Sequence, residues 1–212
     1  MKKKLLIMSV AMVLVCAFAV GMTIAYLTST DEVVNTFTVG NVRIKLDEAA
    51  VNPDGTLVPN ADRVKANSYK LIPGHTYTKD PTVTVLRGSE SSYIKMTVTF
   101  TKADALDEIF KPTGADMTSI FNGYDSTNWI AKGNTKDTTA NTRTYEFWYK
   151  EAVAAPEADV ALDALFDSIT VPGTITGDQL KTIEGMTITV NAYAIQADGF
   201  TNAEAAWAAY NA

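Results

Sequence analysis

TIAYLTSTDEVVNTFTVGNVRIKL, residues 23–46, divides the chain into two kinds of sequence and sets the reading of both. Upstream lie MKKK and an apolar run over residues 5–22, broken only by Ser9 and Gly21. Three lysines left on the cytoplasmic side of an 18-residue apolar run describe an export segment. That length is at the lower edge of what spans a bilayer, so an uncleaved anchor is the alternative. Thr23 and Ala25 supply the short side chains that a signal-peptidase pocket admits around an extended backbone, which places the cut between Ala25 and Tyr26. Cys16 follows Val13, Leu14 and Val15, without the small residue that a lipoprotein signal needs directly before its cysteine. Downstream, residues 33–46 alternate as a strand does. Phe37 and Val39 share one face, Val42, Ile44 and Leu46 take the opposite parity, and Gly40-Asn41 supplies the one-residue shift of a β-bulge.

The remainder reads as short strands separated by turn signals. Residues 47–67 hold two prolines and Asp54-Gly55 with no sustained periodicity, which suits a long surface loop or a small hairpin. In residues 71–100, Pro73-Gly74 turns the chain, Val83 and Val85 face inward, and residues 88–92 form a polar connection. Ile94, Met96, Val98 and Phe100 then make an apolar face opposite Tyr93, Lys95, Thr97 and Thr99. Pro81 is confined to a strand's first residue or to an edge.

Leu106, Ile109 and Phe110 predict a short helix ended by Pro112 and Gly114, followed by a loop. Trp129-Ile130 opens a short strand, residues 132–142 read as a polar linker, and residues 143–150 as an aromatic strand with Tyr145, Phe147 and Tyr149 on one face. Residues 160–171 fit helix or strand. Thr176 and Gln179 form a capping box before Leu180 and Ile183, and Gly185 ends that helix. Met186, Ile188, Val190, Ala192 and Ala194 alternate inward, and Thr201 with Glu204 predicts a second capping box before Trp207 and Tyr210.

This pattern predicts an all-β fold, an antiparallel jelly-roll-like β-sandwich with a few short helices, preceded by a cleaved N-terminal signal helix. The expected divisions are residues 1–25 as signal peptide, 26–34 as a mobile N-terminal arm, and 35–212 as the sandwich domain. Of 18 basic side chains, 15 remain after Lys2, Lys3 and Lys4 are removed, against 24 acidic ones, so a nucleic-acid partner is not expected. The only cysteine, Cys16, leaves with the signal segment, and cysteine-free export suits a Gram-positive exterior.

Three stretches carry a family resemblance. A-Y-L-T-S-T-D-E followed by N-T-F-T-V-G-N-V-R-I-K-L-D resembles the start of mature TasA/camelysin proteins, which Gram-positive bacteria export through a SipW-type signal peptidase and which form biofilm-matrix fibres. Leu71, Pro73, Gly74, Lys79 and Asp80 resemble the L-x-P-G…K-D pattern of that family, with Pro81 as a departure. M-T-I-T-V-N-A-Y-A-I-Q, residues 186–196, is similar to the final strand of clostridial members. Residues 103–170 show no resemblance. The resemblance implies a jelly-roll sandwich, a place in the extracellular matrix or on the cell surface, and fibres held by strand exchange. Its implied partners are the signal peptidase and either further copies of the chain or a related matrix protein. Tyr26, Leu27, Val33 and Val34 are the apolar anchors of the candidate donor strand.

Camelysin has been classed as a metalloprotease, which makes a secreted metalloendopeptidase one alternative. A common zinc site needs H-E-x-x-H, and the chain has one histidine, His75, in a Pro-Gly turn; it has no G-x-S-x-G. Asp31-Glu32, Asp47-Glu48 and Asp104/Asp107/Glu108 offer carboxylates for calcium without matching a calcium loop. Tyr124, Trp129, Trp148 and Tyr149 could line a sugar-binding face, which makes an adhesin or carbohydrate-binding sandwich the other alternative. No catalytic residue, metal or cofactor is expected, and membrane contact is expected only through the signal segment. No L-P-x-T-G occurs, so attachment is expected to be non-covalent.

Mass spectrometry of the exported protein checks the processing site. The expected product begins at Tyr26, and one that retains residues 1–25 would make this an anchored protein.

Overall fold

The computed structural model describes residues 40–210. The proposed signal segment, the Ala25/Tyr26 junction, the arm over residues 26–34 and the first half of the expected opening strand lie outside the described residues. The described part is mostly β, with antiparallel sheets and a few short helices. No described helix is long and apolar enough to cross a membrane.

β4 (Ser89–Thr101) is the centre of the largest sheet. Its inward residues Ile94, Met96, Val98 and Phe100 are fully buried, as strict alternation requires of a strand with one dry face. β4 starts at Ser89, so the expected polar connection over residues 88–92 shrinks to a turn at Arg87-Gly88. The extended backbone there is held by Ser89, whose Oγ accepts from Arg43 N at 3.0 Å and donates to Arg43 O at 3.1 Å. β10 (Ile188–Gln196) pairs with one side of β4 from Ile188↔Phe100 to Gln196↔Ser92 without interruption. β6 (Thr142–Tyr149) takes the other side, and β7 (Val153–Ala155) continues that side at Ser92 and Ser89.

β5 (Trp129–Asp137) pairs with β6 and is the outer strand there. It occupies most of the stretch expected to be a polar linker. Polarity misleads because one side of β5 faces water while its backbone is satisfied by β6, and only residues 138–141 remain as the turn. Asn141 in that turn has φ 49° and caps the helix α1 (Ala103–Phe110), its Oδ1 accepting from Asp104 N at 3.0 Å and its carbonyl from Ala103 N at 3.0 Å.

The second sheet has the order β1 (Ile44–Asp47), β3 (Thr82–Val85), β8 (Val160–Ala161), and a two-stranded ribbon joins β2 (Thr76–Thr78) to β9 (Ser168–Thr170). Residues 160–171 are therefore strand at both ends, and Pro81 directly precedes β3. Residues 47–67 form a small hairpin, with bridges Val51↔Leu57 and Glu48↔Val64 around a turn in which Gly55 has φ 87°.

The core lies between β4, β6 and β3 and the segments that cover them. Its centre is Phe121, from the stretch expected to be loop, which stacks on Phe166 at 4.6 Å and meets Tyr145 and Phe147 edge-on at 5.1 and 5.7 Å. On the outer face of the large sheet, α3 (Ala203–Tyr210) buries Trp207 and covers Lys95. The Lys95 ammonium sits 4.6 Å from the Trp207 ring and 5.4–5.5 Å from those of Tyr210 and Tyr193, so a side chain expected on the solvent face is enclosed by aromatics instead. The cap of α3 is Asn202, whose Oδ1 accepts from Ala205 N at 2.9 Å, and not the predicted Thr201. The cap predicted for α2 (Gly177–Thr182) is present as a reciprocal Thr176/Gln179 box.

Candidate functional site

Two strands that are terminal in their sheets, β1 and β10, approach within 8 Å Cα to Cα without pairing to each other. Between them, and bounded by residues 64–71 and α2, runs an open groove of about 1320 Å³. Ile44, Leu46, Leu71, Ile188 and Val190 give it apolar walls, and Asp47, Glu48 and Lys79 lie along one side. That volume exceeds the roughly 300–1,000 Å³ of small-molecule pockets. Its length follows two strand edges whose outward N–H and C=O groups have no strand partner among the described residues. The arrangement can receive an extended peptide, main chain to main chain.

Of the family-pattern residues, Leu71 lines the groove and Pro73-Gly74 makes a turn in which Gly74 has φ 80°. Lys79 and Asp80 belong to a charge network that fixes the β1 wall. Lys79 is buried and donates to Glu48 Oε2 at 2.5 Å. Asn67 Nδ2 donates to the other oxygen, Glu48 Oε1, at 3.0 Å. Arg63 spends its guanidinium on Asp47 Oδ1 at 2.6 Å, Asp80 Oδ2 at 2.7 Å, the carbonyls of Asp47 and Asp80, and Thr82 Oγ1. Lys45 adds an ion pair to Asp47 at 2.7 Å. Burial pushes the Asp47 carboxyl up, but hydrogen bonds from Lys45 and Arg63 outweigh it and hold Asp47 below its ordinary value of 3.8.

The other candidates are placed as structural groups. Asp104 and Asp107 face Lys136, and Arg143 grips both oxygens of Asp107, so these carboxylates are neutralised by cations from β5 and β6. Among the described residues no group of three or more His, Cys, Asp or Glu side chains converges on a possible metal position. The four aromatics do not form one platform. Trp129 is buried with its Nε1 donating to Asp163 O at 3.1 Å, Tyr124 donates to Trp129 O at 2.9 Å, and Tyr149 packs edge-on against Trp129. Trp148 points to the opposite face, under the Lys132 ammonium at 4.0 Å. His75 is exposed, and its ring lies 6.4 Å from that of Tyr77. Thr23, Ala25, Tyr26, Leu27, Val33, Val34, Asp31 and Glu32 lie outside the described residues.

Sequence reasoning missed Arg63 and Asn67, which join the network across 16 to 19 positions and carry no local pattern. No family model, no curated protein and no solved structure matches the chain.

Carboxylates held by lysine and arginine set an acid limit on stability. Burial also raises Asp107, but Arg143 and Lys136 hydrogen bonds lower it on balance below 3.8. A folded-state value below the unfolded one contributes stability that is present above about pH 4 and is lost as pH falls through the folded value. Asp107→Asn should therefore be less stable than the parent at neutral pH, and the gap should narrow below pH 4. Urea midpoints across pH 2–7 check this; a constant gap would contradict it.

Proposed function

We propose that the chain is an exported structural subunit, similar in kind to TasA/camelysin proteins, whose sheets form a jelly-roll sandwich and whose copies join by strand donation. On this reading a SipW-type signal peptidase frees residues 26–34. That arm enters the groove between β1 and β10 of another copy or of a related matrix protein, at the cell surface or in the biofilm matrix. Head-to-tail donation does not close on itself, so it builds filaments.

The observation that carries the proposal is the contrast between the two outer edges of the large sheet. β5 has a register shift between Ala131 and Gly133, and it bears Lys132 and Lys136. Bulges and lysines are the devices by which natural sheets block edge pairing. β10, ITVNAYAIQ, has no charge, no proline and no register shift over nine residues. Among the described strands, one outer edge is guarded and the other is left able to pair, beside a groove with apolar walls. The peptidase and sugar-binding alternatives gain no comparable support, since His75 has no second histidine to work with and the aromatics divide between two faces.

Deleting residues 26–34 tests this. The expected product is a folded monomer that gives no fibres by negative-stain microscopy or sedimentation, under conditions where the chain from Tyr26 polymerises. Equal fibre formation by both would overturn the proposal.

A further inference from the structure

The Glu48 carboxylate holds an amine and a carboxamide at the same time, which is more than an ion pair requires. Lys79 Nζ lies 2.5 Å from Oε2 and Asn67 Nδ2 lies 3.0 Å from Oε1. The Lys79 and Glu48 side chains are only 8 % and 9 % exposed. The carbonyl end of the same carboxamide is also engaged, because Val51 N–H donates to Asn67 Oδ1 at 3.1 Å. Asn67 Nδ2 makes a second bond to Ala49 O at 2.9 Å, so the amide is fixed at every polar atom. Tyr69 closes the site on one flank; its phenol is raised by burial, with the Glu48 charge adding to the effect.

We propose that this triad is a self-modifying site that joins Lys79 to Asn67 through an intramolecular isopeptide bond. The parts are those of an acyl transfer: a nucleophilic amine, a carboxylate that can take and return protons, and a backbone N–H aimed at the oxygen where negative charge develops. Glu48 accepts a proton from the Lys79 ammonium, and the freed lone pair forms the Nζ–Cγ bond to Asn67. The carbonyl electron pair moves onto Oδ1, where the Val51 N–H stabilises it. When the carbonyl re-forms, the Cγ–Nδ2 bond breaks and Nδ2 leaves as ammonia with the proton that Glu48 first took from the ammonium; Glu48 then takes the second proton from the attacking nitrogen and passes it to the ammonia, which departs as ammonium. The balance is one ammonium and one primary amide in, one secondary amide and one ammonium out. Glu48 is restored as carboxylate and no oxidant or co-reactant is consumed. Holding the groups in place replaces a second-order encounter with a first-order one, which is where such uncatalysed chemistry gains its rate.

The bond would tie the segment beside the groove to the end of β2, fixing the β1 wall covalently. The sequence beyond Cys16 has no cysteine to do this by a disulfide. The inference does not depend on the proposed function, since it concerns only the described fold.

Intact-mass measurement and peptide mapping of the full exported chain, digested after denaturation, test it. The expected result is a mass lower by one ammonia than that calculated for the processed chain, with a branched peptide joining Lys79 to Asn67. Loss of ammonia without the branched peptide would be cyclisation of an asparagine and would overturn the proposal. So would a cooperatively folded parent chain with the unreduced mass calculated for the processed chain, and this outcome needs no variant to fold. Lys79→Arg, which keeps the positive charge, should show the full mass and a lower melting temperature. Glu48→Gln, recovered folded by circular dichroism, should be unlinked; a linked product would remove Glu48 from the mechanism.

Discussion

The alternation of β4 is the constraint from which the described fold follows. A strand of 13 residues paired on both sides has no freedom to rotate, so Ile94, Met96, Val98 and Phe100 must all face one way and must all be covered. Truncating any one of them would cost roughly 2–5 kcal/mol, because a rigid sheet cannot collapse into the space. The cover comes from β3, from α1 and from two segments of little regular structure that supply Phe121, Leu165 and Phe166. Because β4 is central, β5 and β10 are the outer strands of this sheet among the described residues, and the two differ. β5 carries a register shift and two lysines, and β10 carries neither.

The second constraint is charge. Before any link between Lys79 and Asn67 forms, Glu48 and Lys79 are both removed from water, and losing either partner would leave an uncompensated charge at a cost of about 3–5 kcal/mol. That penalty, together with the Arg63 fork on Asp47 and Asp80, fixes where the hairpin over residues 48–64 leaves β1. The groove therefore has one wall set by hydrogen-bonded charge and another set by the β4–β10 ladder. On the proposed reading, a groove whose walls are already fixed would lose little entropy of its own when a donated strand paired there.

How much could be read in advance depended on the range of the interaction. The Thr176/Gln179 box and the inward faces of β4, β6 and β10 are set by neighbours a few residues away, and they were legible. Asn202 displaced Thr201 as the cap of α3 because both residue types suit the position and only the chain's entry geometry decides. Lys132 and its neighbours looked like a linker because a half-exposed edge strand need not carry apolar alternation. Phe121, Leu165 and Phe166 follow no period, so their place at the core could not be seen. Lys79 and Asp80 were picked out by resemblance, but their partners Glu48 and Arg63 lie 31 and 17 residues away, and Asn67 reaches Glu48 across 19, so these pairings became visible only once the chain was folded. That β10 is an outer strand among the described residues is likewise a property of topology.

Amide hydrogen exchange, compared between monomer and assembled fibre, bears most directly on the claim that β10 and β1 form the receiving edge. The account predicts new protection at alternate amides of Ile188–Gln196 and in Ile44–Asp47, where an added strand would pair, and no change along Trp129–Asp137. Fibres whose assembly protects Trp129–Asp137 while leaving Ile188–Gln196 as exchangeable as in the monomer would contradict it.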